Sequence, residues 1–158
     1  MILVCYDGSV DAGCAIDRAA ELLHGHPATI LTVWDGLALV LARAGTGIGV
    51  GALDFEAIDA ASEHNARERA EEGAERARRA GLTAEARVRE RGITIWATIL
   101  DEAAAIDASA IVLGSRGLTG FKSLLLGSVS YAVLQHADRP VIVVPSRELA
   151  AKRATRAE

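Results

Sequence analysis

From Leu113 to Ser130 the sequence reads Leu-Gly-Ser-Arg-Gly-Leu-Thr-Gly-Phe-Lys-Ser-Leu-Leu-Leu-Gly-Ser-Val-Ser. Gly114 and Gly117 follow an apolar run, Ala110 to Leu113, at the carboxyl end of what reads as a strand. Parallel sheets bind ligands at such ends, and a missing Cβ lets backbone come close to a ligand. Gly127, Ser128 and Ser130 fall at or near the start of a helical pattern, where free N–H groups and hydroxyls hold phosphate oxygens. The segment therefore has the makings of a phosphate cradle. The plainer alternative is that the glycines only make tight turns and that Ser128 and Ser130 cap a helix. Arg116 and Lys122 lie inside it, placed either to neutralise phosphate charge or to face water.

Other chemistries find little support. No Gly-Lys-Ser or Gly-Lys-Thr occurs, which excludes a Walker A loop, and no Gly-x-Ser-x-Gly elbow is present. The serines of the cradle have no neighbouring base in sequence, so nothing here reads as a catalytic residue. His24, His26, His64 and His136 are scattered, with no pair placed to ligate a metal from one helical face, and each is expected at a surface or interface. Cys5 and Cys14 fit neither a redox pair nor a zinc site and read as reduced, buried residues. Asp7 could meet a divalent ion arriving with phosphates or cap the helix that follows. Ala44 to Ala52 has glycine at every second position from Gly45 to Gly51. It reads as a flexible loop, with a role as a lid left open.

The elements that would position these residues alternate. Apolar runs at Ile2 to Tyr6, Thr29 to Trp34, Ala110 to Leu113 and Val141 to Val144 are nearly continuous Val, Ile and Leu, as in strands covered on both faces. Ala84 to Glu90 alternates apolar with charged residues and reads as a half-exposed edge strand. Ser9 to Leu23 carries a helical stripe with Ser9 or Asp11 as its cap. Asp54 to Arg79 is the longest helical pattern; Ala66, Ala70, Ala74 and Ala77 form a narrow small-residue stripe for close packing. Its opposite face pairs Glu63 with Arg67, Glu72 with Arg76 and Glu75 with Arg79 at i,i+4. Thr94 can cap a helix that turns Ile95, Ile99, Ala103 and Ile106 inward, and Ser123 to Gln135 forms the next, ended by Arg139-Pro140. Trp34 and Trp96 read as packing residues. Strand–helix alternation of this kind indicates an α/β fold, one doubly wound domain over residues 1–147, with an Ala- and Arg-rich tail at 148–158 prone to fraying.

With 158 residues, 51% of them hydrophobic, the chain can bury one core. A net charge of −4 gives no footprint for nucleic acid. No run reaches the length of a membrane span and the first residues do not read as a secretory signal, so a cytoplasmic location is expected.

Taken together, Gly114-x2-Gly117-x9-Gly127-Ser128 resembles the nucleotide-binding signature of the universal stress protein family. The likeness extends to Tyr6-Asp7-Gly8-Ser9, to Thr32-Val33-Trp34-Asp35 and to His136-Ala-Asp-Arg-Pro140 leading into Val141-Ile-Val-Val-Pro145. It implies a five-stranded parallel sheet with helices on both faces, of the adenine nucleotide alpha hydrolase-like kind. It also implies ATP as ligand, with Mg²⁺, in a homodimeric stress-response switch with at most slow hydrolysis; AMP, ADP or a cyclic nucleotide remain alternatives. By the same resemblance Asp7 contacts the ribose and Val33 presents its backbone to adenine. Leu113, Gly114 and Gly117 line the ribose and phosphate path, and Gly127, Ser128, Val129 and Ser130 hold the phosphates. The last strand, Val141, Ile142, Val143 and Val144, is implied to pair with its copy in a second subunit. The family often has an acidic residue and proline after the third strand, where this chain has Arg91-Gly92-Ile93-Thr94.

Overall fold

A computed structural model describes residues 1–44, 54–117 and 126–155. In chain order the elements are β1 (Ile2–Cys5), α1 (Val10–Leu22), β2 (Pro27–Trp34), α2 (Leu37–Ala44), α3 (Phe55–Arg79), β3 (Thr83–Glu90), α4 (Ile95–Ala105), β4 (Ala110–Gly114), α5 (Ser128–His136), β5 (Val141–Val144) and α6 (Arg147–Ala154). The strands form one parallel sheet in the order β3-β2-β1-β4-β5, with Ile2 of β1 level with Ala28 of β2 on one side and Ala110 of β4 on the other. The chain therefore winds outward from β1 in one direction and then crosses back to fill the other side. The reversal leaves a crevice between β1 and β4 at their carboxyl ends.

Both faces of the sheet are covered, which is why the central strands read as unbroken apolar runs. Ile2, Val4 and Tyr6 pack with Ala15, Ile16 and Ala19 of α1 and Ala74 and Ala77 of α3. Leu3, Leu31 and Ile111 face the other way, toward Ile99 and Ala103 of α4 and Val133 of α5. The alanine stripe of α3 is buried throughout, each member at 1% exposure or less, and Gly73 sits among it. A Cβ on Gly73 would lie 2.7 Å from the Tyr6 ring, so α3 approaches the sheet as closely as a helix can.

Close approach reassigns one of the three expected helix pairs, Glu72 with Arg76. Arg67 does pair with Glu63. Arg76, however, makes a forked bond to Asp17 of α1, at 2.9 and 2.8 Å, and Glu72 accepts from the Tyr6 hydroxyl at 2.9 Å. Partners on neighbouring elements are partly desolvated and geometrically fixed, and they outcompete the exposed i,i+4 contact between Glu72 and Arg76. Ser9 and Thr94 cap α1 and α4 through bonds from Ala12 and Ala97 N–H.

Edge strand β3 points Arg87 and Arg89 at Glu102 of α4, a carboxylate 3% exposed and flanked by both guanidinium groups. Helix α2, absent from the sequence reading, starts where Leu37 N–H meets the Asp59 carboxylate at 2.6 Å. The glycine-rich loop after it lies outside the described residues from Gly45 onward, as do 118–125. Helix α5 begins at Ser128, later than the sequence pattern placed it. The C-terminal segment carries α6, capped by Ser146, with none of its residues buried. Strand β5 is the second sheet edge, its first three residues half-buried. No helix among the described residues is long and apolar enough to cross a membrane.

Candidate functional site

The crevice at the reversal point opens into a cavity of about 640 Å³. Asp7, Val33, Leu113, Gly114, Gly117, Gly127, Ser128, Val129 and Ser130, the nine residues singled out in the sequence, all line it. They arrive from the ends of β1, β2 and β4 and from the first turn of α5, so the parallel register brings them together. Cys5, Tyr6, Ala12, Leu31, Asp35, Arg69, Ile95 and Ile99 also line the cavity, and Arg116 joins them.

The turn after β1 forms one wall. Gly8 has φ +84°, a left-handed conformation that suits glycine, and it carries the chain from Asp7 into the cap of α1. Asp7 accepts from Ser9 N–H at 2.9 Å through its own carboxylate, closing the turn. Of the two caps considered for α1, Ser9 takes the role. Asp11, 6% exposed, instead accepts from the Ser115 hydroxyl at 2.8 Å and lies 3.6 Å from Arg116, bracing the end of β4 against α1.

Bracing on that scale explains Gly114 differently from the sequence. Its missing Cβ would fall 2.7 Å from the Ala12 nitrogen and 2.7 Å from the Asp11 carbonyl carbon, so glycine is required there by helix α1 and not by a ligand. A Cβ on Gly117, by contrast, would stand 2.7 Å from Asp7 Oδ2, inside the cavity. Ser130 also departs from its expected part. Its hydroxyl is buried and donates its one proton to the Gly114 carbonyl at 2.7 Å, tying α5 to β4 and leaving no proton for a phosphate in this arrangement.

What α5 does offer is its first turn. Gly127 occupies the N-cap and supplies no side-chain acceptor, so the N–H groups of Ser128, Val129 and Ser130 have no partner within the helix and sit at the cavity wall. Partial positive charge collects at such a terminus. Leu31, Val33, Ile95, Ile99 and Leu113 give the same cavity an apolar lining. The cavity thus combines apolar lining with an anion-favouring helix terminus, as a flat aromatic base with a charged tail would need.

Ionisable groups on the walls are mostly committed. Asp35 accepts from Arg91 at 3.2 Å, and Arg116 faces Asp11. Burial, reinforced by the Asp7 charge, pushes the Cys5 thiol up to about 12, so it stays protonated and is no nucleophile at neutral pH. Burial and the bond to Glu72 likewise raise the Tyr6 phenol to about 12. Among the described residues no cluster of three His, Cys, Asp or Glu could hold a metal. Trp34 is not a wall of the cavity, while Trp96 stacks on His136 with ring centres 4.5 Å apart.

A family model described as "Universal stress protein family" matches residues 1–145. The chain belongs to the universal stress protein family. Its sheet and helices have the adenine nucleotide alpha hydrolase-like arrangement of that family's solved structures. Universal stress protein YxiE of Bacillus subtilis is 48% identical over 46 residues, which is 29% of this chain and 31% of the length of that relative. The universal stress protein of Archaeoglobus fulgidus, solved in complex with dAMP, is 26% identical over 90% of this chain and 95% of its own, with a TM-score of 0.61. UspA from Lactobacillus plantarum superposes with a TM-score of 0.70 at 23% identity, covering 90% and 95% of the two chains.

Proposed function

We propose that this protein binds an adenine nucleotide, ATP in the first place, in the cavity between β1 and β4, and acts as a nucleotide-dependent regulatory switch. The observation that carries this reading is the pairing, in one cavity, of an apolar wall with the uncapped first turn of α5. Adenine lies against Val33, Leu31 and Ile99; Asp7 reaches the ribose, and the phosphates run past Gly117 to the N–H groups of Ser128 and Val129. The Archaeoglobus protein, solved with dAMP, supports the same ligand class here. One carboxylate, Asp7, is all the turn after β1 offers a cation, so Mg²⁺ would travel on the phosphates and take that side chain as its protein ligand. The switch reading needs occupancy and not turnover.

We infer further that two copies pair through β5. It is a four-residue edge of valine and isoleucine without a charge, the type of edge that natural sheets cover. Purified protein is denatured, the released nucleotide identified by mass spectrometry, and the emptied protein titrated with ATP and Mg²⁺ by calorimetry. Stoichiometric nucleotide or micromolar ATP binding is expected; indifference to ATP, ADP and AMP alike would overturn the reading. Sedimentation is expected to return the mass of a dimer, and a monomer at micromolar concentration refutes the β5 pairing.

A further inference from the structure

Arg69 enters the cavity from a direction that the glycine signature does not reveal. It stands on α3 three residues after Ala66 and four before Gly73, beside the buried small-residue stripe, so its side chain leaves the helix at the edge of the sheet contact. From there it extends over the turn after β1. Its Cδ and Nε lie 3.4 Å from the point a Gly8 Cβ would occupy, one residue beyond Asp7. The arginine therefore lies in van der Waals reach of the turn at position 8, where the left-handed backbone is what calls for glycine.

Three other arginines of α3 are paired, Arg67 with Glu63, Arg76 with Asp17 and Arg78 with Glu71, while Arg79, at the last turn, does not line the cavity. Around the cavity, Arg116 faces Asp11 and Arg91 holds Asp35. Arg69 is half-buried and lines the cavity, yet its guanidinium has neither a hydrogen bond nor an ion pair among the described residues. A partly desolvated guanidinium with open donors, facing a cavity that already favours anions, is what phosphate recognition uses.

We propose that Arg69 is a ligand-contacting residue that reads the phosphate chain, so that the site prefers nucleoside di- and triphosphates to monophosphates. The proposal rests on the nucleotide reading above. A longer phosphate chain presents more charge to both groups, the α5 terminus and Arg69. The first turn of α5 is common ground for any phosphate; the arginine supplies the discrimination.

Wild type, Arg69→Gln and Arg69→Lys are titrated calorimetrically with adenosine, AMP, ADP and ATP, and thermal unfolding of each confirms the fold. Losing one charge-assisted phosphate contact is expected to weaken ATP about tenfold or more, ADP less, and adenosine not at all. Arg69→Lys is expected to recover part of the loss, and added salt to narrow the gap between wild type and Arg69→Gln. ATP binding by Arg69→Gln at wild-type strength overturns the role of Arg69 while leaving the nucleotide site standing. An equal loss for adenosine and ATP also overturns it, since that is the mark of a packing role. Wild-type protein that binds none of the four sinks the nucleotide reading and this inference with it.

Discussion

Adding a single methyl group at position 114 tests how tightly the site is braced. In Gly114→Ala the new Cβ meets backbone atoms of Ala12 and Asp11 at 2.7 Å and the Asp11 Cβ at 2.9 Å. Each of these lies about 0.7 Å or more inside comfortable carbon contact. Backbone cannot rotate out of the way as a side chain can. The first turn of α1 is also pinned, by its Ser9 cap and by the bond from Ser115 to Asp11. Relief must come from moving α1 or β4 as a body, an overpacking cost of about 1–3 kcal/mol. For a domain of this size that corresponds to a fall in Tm of roughly 3–10 °C. Circular dichroism melts of Gly114→Ala and Gly127→Ala provide the comparison. The nearest atoms to a Gly127 Cβ are the Ser115 carbonyl oxygen at 3.3 Å and the Arg116 Cα at 3.4 Å, a fit that needs only slight adjustment. Gly127→Ala should therefore melt within about 3 °C of wild type. If Gly114→Ala melts with wild type, α1 is free to retreat, and the braced wall described above is wrong.

Two further outcomes are expected. Glu102→Gln leaves Arg87 and Arg89 facing a neutral amide; urea denaturation should register a loss of about 1–3 kcal/mol, at the lower end because both arginines are partly solvated. Unchanged stability would make the cluster a surface contact only. The bond from Arg76 holds the Asp17 carboxyl below its ordinary value, so it stabilises the fold above the unfolded carboxylate pKa and ceases to do so as pH falls through the lower folded value. Melting temperatures between about pH 2 and pH 5 should decline less steeply in Asp17→Asn than in wild type, and identical slopes would remove Asp17 from the acid response.

Much of the architecture was legible because single-residue signals agreed with tertiary ones. Continuous Val, Ile and Leu marked strands covered twice, the alternation of β3 marked an edge, and Ala66 to Ala77 marked the face that α3 buries. Ser9 and Thr94 cap the helices they precede, as their position suggested. The site residues converged because glycine spacing reports a strand end and a helix start together. What stayed hidden depends on neighbours distant in sequence. Arg76 and Glu72 looked like partners until α1 and β1 supplied better ones. Nothing local marks Glu102 as buried; two partly exposed arginines from β3 cover it. Arg69 carries no local signal, since nothing in its neighbours says that it lies against the turn at Gly8. Gly114 and Ser130 line the cavity, and each also has a structural part that the sequence did not suggest: one accommodates a helix backbone, the other fastens two elements together.

The place of β1 at the middle of the sheet has a bearing on synthesis. Its neighbour on one side, β2, is translated soon afterward, but Ile2 waits for Ala110 before its other side is closed. A nascent chain can therefore build the β1–β2–β3 half while the crevice still has only one bank. The second bank and the helix that completes it emerge only in the last third of the chain. A small molecule that needs both banks can engage only a finished chain, and by holding that state alone it would shift a newly made protein away from partly assembled forms.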